Sequence, residues 1–147
     1  MDVSGSCLCG KVTIDLTGVA KEITVCHCSL CQKFHGGPMF ALAPCSENQM
    51  ALQGAKWLRR YDSSEWAQRG FCSQCGSSLF FYLKEAHTYF FAAGLFGNLP
   101  EAVLTEKSIQ KTNRIFTILW NQRLVGKSCK TLKQFEQVIL HSLRKKA

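Results

Sequence analysis

Apolar and polar residues alternate with a period of two along Val12-Thr13-Ile14-Asp15-Leu16, as they do in a strand with one buried face. Apolar runs at 23–25 and 40–43 predict two more strands, the second entered from a Gly36-Gly37-Pro38 turn. Residues 78–83 and 88–93 are apolar almost throughout, and Lys84-Glu85-Ala86-His87 between them predicts a hairpin. Up to about Gly97 the expectation is therefore a mainly β body of short strands and glycine turns. Near the end the period changes. Leu132, Phe135, Val138, Ile139 and Leu143 recur at helical spacing, and Thr131 with Gln134 forms a capping box. This predicts an amphipathic helix over 131–144, packed on the body by its apolar stripe.

At 147 residues the chain fits one domain of ordinary size with a real core. The expected division is a metal-bearing domain over 1–110 and a basic extension over 111–147. No apolar run approaches the roughly 20 residues of a spanning helix, and residues 1–5 lack the basic and apolar stretches of a secretory signal. The expectation is a cytoplasmic protein with no membrane segment. Its nine cysteines then read as metal ligands and not as a disulfide framework.

The net charge of +8 is unevenly spread. From residue 107 onward ten Lys and Arg face one acid, Glu136, whereas residues 1–106 carry eight basic and nine acidic groups. The body is close to neutral and the tail holds the charge. A basic tail is a solvated face in the first instance, and a docking surface for nucleic acid or another anionic partner in the second.

Seven cysteines fall in three tight clusters: Cys7-Leu8-Cys9-Gly10, Cys26-His27-Cys28-Ser29-Leu30-Cys31 and Cys72-Ser73-Gln74-Cys75-Gly76. Such spacings suit thiolates converging on one ion and force strain on a disulfide. Soft thiolate clusters select zinc or iron–sulfur. Cys7/Cys9 and Cys72/Cys75, each followed by a glycine that permits a tight turn, make a four-thiolate set, which is the pattern of a closed structural zinc. Cys26, Cys28 and Cys31 supply three thiolates, the pattern of a metal with a position left for water or substrate. His27 and His35 are candidates for a fourth ligand, although an extended chain turns His27 away from the face shared by Cys26 and Cys28. A zinc ribbon pairing Cys28/Cys31 with Cys72/Cys75 would strand Cys7, Cys9 and Cys26. Cys45 and Cys129 read as ordinary free thiols.

The ordered motifs Gly5-Ser6-Cys7-Leu8-Cys9-Gly10, Cys26-His27-Cys28-Ser29-Leu30-Cys31 and Arg69-Gly70-Phe71-Cys72-Ser73-Gln74-Cys75-Gly76-Ser77, with the later Ala93-Gly94, resemble the glutathione-dependent formaldehyde-activating enzyme and centromere-protein-V family over about residues 4–109. The resemblance implies a fold of several small coiled β-sheets, a β-tent, pinned by zinc. It implies two zincs, a structural one on Cys7, Cys9, Cys72 and Cys75 and a catalytic one on Cys26, Cys28 and Cys31. The implied activity is that of a carbon–sulfur lyase adding glutathione to formaldehyde through a zinc-bound thiolate. On that reading Lys33 and Arg69, each close to a cluster in sequence, could pair with the carboxylates of the thiol. The chain departs from the family pattern at Leu95-Phe96-Gly97-Asn98, and the motifs that carry the resemblance do not extend beyond Gln110. The second reading is a non-catalytic zinc-binding module whose basic tail docks onto nucleic acid or another anionic partner.

Overall fold

The computed structural model describes residues 1–97, 99 and 102–109, with the backbone alone for 105–109. These lie in the first of two compact units, Met1–Thr112. The helix expected over 131–144, the basic tail and Cys129 lie outside the described residues.

Among the described residues the chain forms β1 (Val3–Ser6), β2 (Thr13–Leu16), β3 (Glu22–Cys26), α1 (Ser29–His35), β4 (Met39–Leu42), β5 (Cys45–Ser46), β6 (Met50–Gln53), β7 (Leu58–Ser64), β8 (Ala67–Cys72), β9 (Ser78–Leu83), β10 (Thr88–Phe91) and β11 (Val103–Ile109). They build three sheets: β1-β2-β6, β5-β10-β9-β8-β7 and β11-β3-β4. Pairing is antiparallel except between β11 and β3. The fold is mainly β, as the alternation and the glycine spacing predict. The expected hairpin is present, with Tyr82 opposite Tyr89 and Phe80 opposite Phe91. No helix among the described residues is long and apolar enough to cross a membrane.

The alternation in β2 has the consequence its period demands: Ile14 and Leu16 are buried, and Thr13 and Asp15 are half-buried. These apolar side chains meet Leu79, Phe80, Tyr82, Tyr89 and Phe91 of β9 and β10 in the main core. Phe80 is edge-on to Tyr89 and Phe91, with ring centroids 5.1 and 5.7 Å away, a favoured aromatic geometry. Gly70 on β8 makes room for it, since a Cβ there would lie 2.3 Å from the Phe80 ring.

The other face of the same sheet serves a second, smaller core. Arg69 of β8, Phe81 of β9 and Phe90 of β10 stand opposite one another in register. Phe81 and Phe90 pack with Cys26, Cys28, Cys31, Met39 and Ala41. A strand covered on both faces reads as a continuous apolar run, which is why 78–83 shows little alternation. Replacing Phe80 with Ala should cost about 3–5 kcal/mol by cavity formation, measured as a lowered urea midpoint at unchanged slope. A loss under about 1 kcal/mol would place the core elsewhere.

Candidate functional site: two cysteine groups

The sulfurs of Cys7, Cys9, Cys72 and Cys75 all lie within 4.8 Å of one another. Each pair sits on a tight loop that leaves a strand. After β1 the Gly10 amide donates to the Cys7 carbonyl, and after β8 the Gly76 amide donates to that of Cys72, at 2.9 and 2.8 Å. Both glycines adopt the left-handed region, φ 71° and 74°, where a side chain would be strained. Ser77 ties the loops together: its hydroxyl accepts from the Leu8 amide at 3.0 Å and lies 3.2 Å from the Cys75 sulfur. That contact, with the Ser77 amide, draws the Cys75 thiol down to about 5. In the sequence Ser77 stands only as the last residue of the third motif, with no sign of this role.

Two sulfur–sulfur distances in this group test the fit of a metal. Cys7 to Cys9 is 3.5 Å and Cys9 to Cys72 is 3.8 Å. Ligands at 2.3 Å in a tetrahedron lie about 3.8 Å apart, whereas a disulfide needs about 2.0 Å. The group therefore fits a tetrahedral thiolate-bound ion. The Val12 amide donates to the Cys7 sulfur at 3.3 Å, which also suits a thiolate.

Cys26, Cys28 and Cys31 form a second group, again with all sulfurs within 4.8 Å. Cys26 ends β3. Cys28 is the N-cap of α1, and its sulfur accepts from the Cys31 amide at 3.4 Å. Cys31, on the first turn, is buried. The helix was not foreseen, although Lys33, His35 and Gly36 are a helix-ending signal: basic residues in the last turn and a left-handed residue after it. Its effect is to fold Cys31 back onto Cys26 and Cys28.

Among the described residues no fourth His, Cys, Asp or Glu joins this group. His27 and His35, the candidate fourth ligands, do not converge with the three sulfurs. Burial, then the nearby Arg69, lowers His35 to about 4, so its ring is neutral at pH 7. The two pairs of the zinc-ribbon alternative fall in different groups. Cys45 is a free buried thiol that burial pushes up to about 11.

The three thiols of the second group act on one another. The Cys31 thiol hydrogen-bonds Cys26 and, against the opposing effect of burial, draws it down to about 5, with the charge of Arg69 acting the same way. Cys31 moves up in return, through that bond and its burial. The group thus favours a thiolate at Cys26, helped by the neighbouring guanidinium. Arg69 is 2% exposed, and its Nη2 donates to the Cys31 sulfur at 3.6 Å. Lys33 is exposed on α1, two residues beyond Cys31.

Residues 2–117 match the sequence profile of the family described as Glutathione-dependent formaldehyde-activating enzyme. The chain belongs to this family. A curated relative from Schizosaccharomyces pombe, described as an uncharacterized lyase, is 29% identical over 96 residues, 65% of this chain and 69% of its own length. A crystal structure of a Rhodobacter sphaeroides protein resembles the fold with a TM-score of 0.54 at 24% identity, covering 69% of this chain and 99% of that one. In this member of the glutathione-dependent formaldehyde-activating family, then, both cysteine groups able to hold a metal are in place.

The two groups should respond differently to mutation. Binding of a closed structural zinc contributes on the order of 10–16 kcal/mol to folding in small domains, so Cys75→Ser should abolish cooperative unfolding in a thermal melt. Cys28→Ser should leave Tm within a few degrees, because serine is itself a good N-cap. Equal effects of the two substitutions on Tm would contradict the division.

Proposed function

We propose that the chain is a zinc-dependent lyase-type enzyme that joins a small thiol such as glutathione to an aldehyde such as formaldehyde at Cys26, Cys28 and Cys31. The observation that carries this reading is the second group itself: three convergent sulfurs with no fourth protein ligand among the described residues, in a chain of this family. On this reading Cys7, Cys9, Cys72 and Cys75 hold a zinc that pins the fold. A zinc held by Cys26, Cys28 and Cys31 would supply positive charge that lowers the pKa of a thiol at its remaining position.

The chain's own residues do the rest. Cys26 ends strand β3, Cys28 caps α1 and Cys31 lies on its first turn, so the chain's reversal brings the three sulfurs together. Met39, Ala41, Phe81 and Phe90 pack against the group and keep water from its inner side. On this reading Lys33, exposed on the helix that carries Cys31, would pair with a carboxylate of the thiol. The reaction balances without a co-reactant. The thiolate sulfur forms a bond to the carbonyl carbon, the carbonyl electron pair moves to oxygen, and the proton lost by the thiol ends on that oxygen. Proximity is the main contribution, because both reactants are small and reactive. Reduced thiols in both groups suit the cytoplasm.

The test is exchange NMR with labelled formaldehyde and glutathione. The zinc-loaded chain should raise the rate of adduct formation above the uncatalysed rate, and Cys28→Ser should remove the increase without loss of fold. No increase in the fully loaded wild type, or an unchanged increase in the variant, would overturn the proposal.

A further inference from the structure

Arg69 carries a charge that cannot be discarded, since the guanidinium stays protonated in proteins. It is nevertheless 2% exposed. A buried charge is costly unless a counter-charge or a set of hydrogen bonds offsets it. Among the described residues no carboxylate pairs with it, and Nη1 is buried with no hydrogen-bond partner. Its polar contact is the Cys31 sulfur, 3.6 Å from Nη2. Aromatic rings fix the guanidinium in this position: its carbon lies 5.2 Å from the Phe34 centroid and 5.1 Å from that of Phe81, within cation–π range. Phe34 comes from α1, the helix that carries Cys31, and Phe81 stands opposite Arg69 on β9. Neutral hydrogen bonding does not explain why the charge is inside. Thiolate does.

We infer that Arg69 is a positioning residue of the three-cysteine centre, holding the Cys31 sulfur in place and offsetting the negative charge that three thiolates leave on a divalent metal. Three thiolates and a divalent cation sum to one negative charge, which one guanidinium cancels. The four-cysteine group leaves two negative charges, but it opens to solvent at Cys9, which is exposed, and needs no internal cation. Arg69 thus acts through Cys31 and not on the substrate, a role different from the carboxylate pairing expected from its sequence position. The inference rests on the reading of Cys26, Cys28 and Cys31 as metal ligands and is independent of which thiol or aldehyde is used.

The test counts metals by native mass spectrometry while a chelator is titrated into the zinc-loaded full chain. Arg69→Met should keep the four-cysteine metal at the wild-type chelator concentration and release the second at a concentration about 10–100-fold lower, the usual effect of losing a group that supports a ligand. Arg69→Lys, which keeps the charge but not the flat fork, should fall between. Cobalt replacing zinc gives a second readout: the visible bands of the three-cysteine centre should shift in Arg69→Met and move back towards the wild type in Arg69→Lys. If Arg69→Met fails to fold, Phe34→Leu removes one of the flanking rings and should weaken retention of the second metal alone. Retention of both metals as in the wild type, in Arg69→Met or in Phe34→Leu, would overturn the inference, as would parallel loss of both metals from a folded variant. A wild type that holds two metals but forms no adduct would sink the functional proposal and leave this one standing. A wild type that never takes a second metal would end both.

Discussion

Cys7 and Cys9 leave the end of β1 where Cys72 and Cys75 leave the end of β8, and their four sulfurs meet within 4.8 Å. That convergence joins the edge of the three-stranded sheet β1-β2-β6 to the strand on which the second site depends. More than sixty residues separate the two pairs in sequence, and closing that segment is a conformational cost that a metal held by both pairs would offset. Strand β8 then carries the constraint onward. Gly70 and Cys72 lie on one face, towards Phe80 and the main core, and Arg69 and Phe71 on the other, where both meet Phe34 of α1. A period of two residues thereby sends one strand's side chains to both cysteine groups.

This arrangement explains why the two groups differ. The four-cysteine group is built from loops at strand ends, where left-handed glycines and amide donors shape a thiolate cage open to solvent. The three-cysteine group is built inside a layer, from the last residue of β3 and the first turn of α1, beneath aromatic side chains of β9 and β10. The first arrangement suits an ion that is fully enclosed by its ligands. The second would leave a coordination position free on a bound ion and places the Arg69 guanidinium beside its sulfurs.

Much of this was legible in the sequence. The alternation in 12–16, the apolar runs at 78–83 and 88–93 and the paired cysteines each carry a period or a spacing that has one ready physical reading. The β7–β8 hairpin was not legible, because 58–72 mixes Arg59, Arg60, Asp62 and Gln68 with glycine and shows no sustained alternation. The seven-residue helix is too short to show a helical period, and the cysteine spacing gives no sign that the chain turns helical at Cys28. For Arg69 the sequence offers only a charge close to a cysteine cluster, whereas the pleat turns its side chain to the face opposite Cys72 and into contact with Cys31. Only tertiary pairing reveals that.

On this reading one chain holds two metal centres of different completeness. Diffraction data collected at the zinc absorption edge on crystals of the loaded chain test it most directly. Two anomalous peaks are expected, one enclosed by the sulfurs of Cys7, Cys9, Cys72 and Cys75, the other bound by Cys26, Cys28 and Cys31 with a non-protein fourth ligand. A single peak, or a protein side chain filling the fourth position of the second centre, would contradict it.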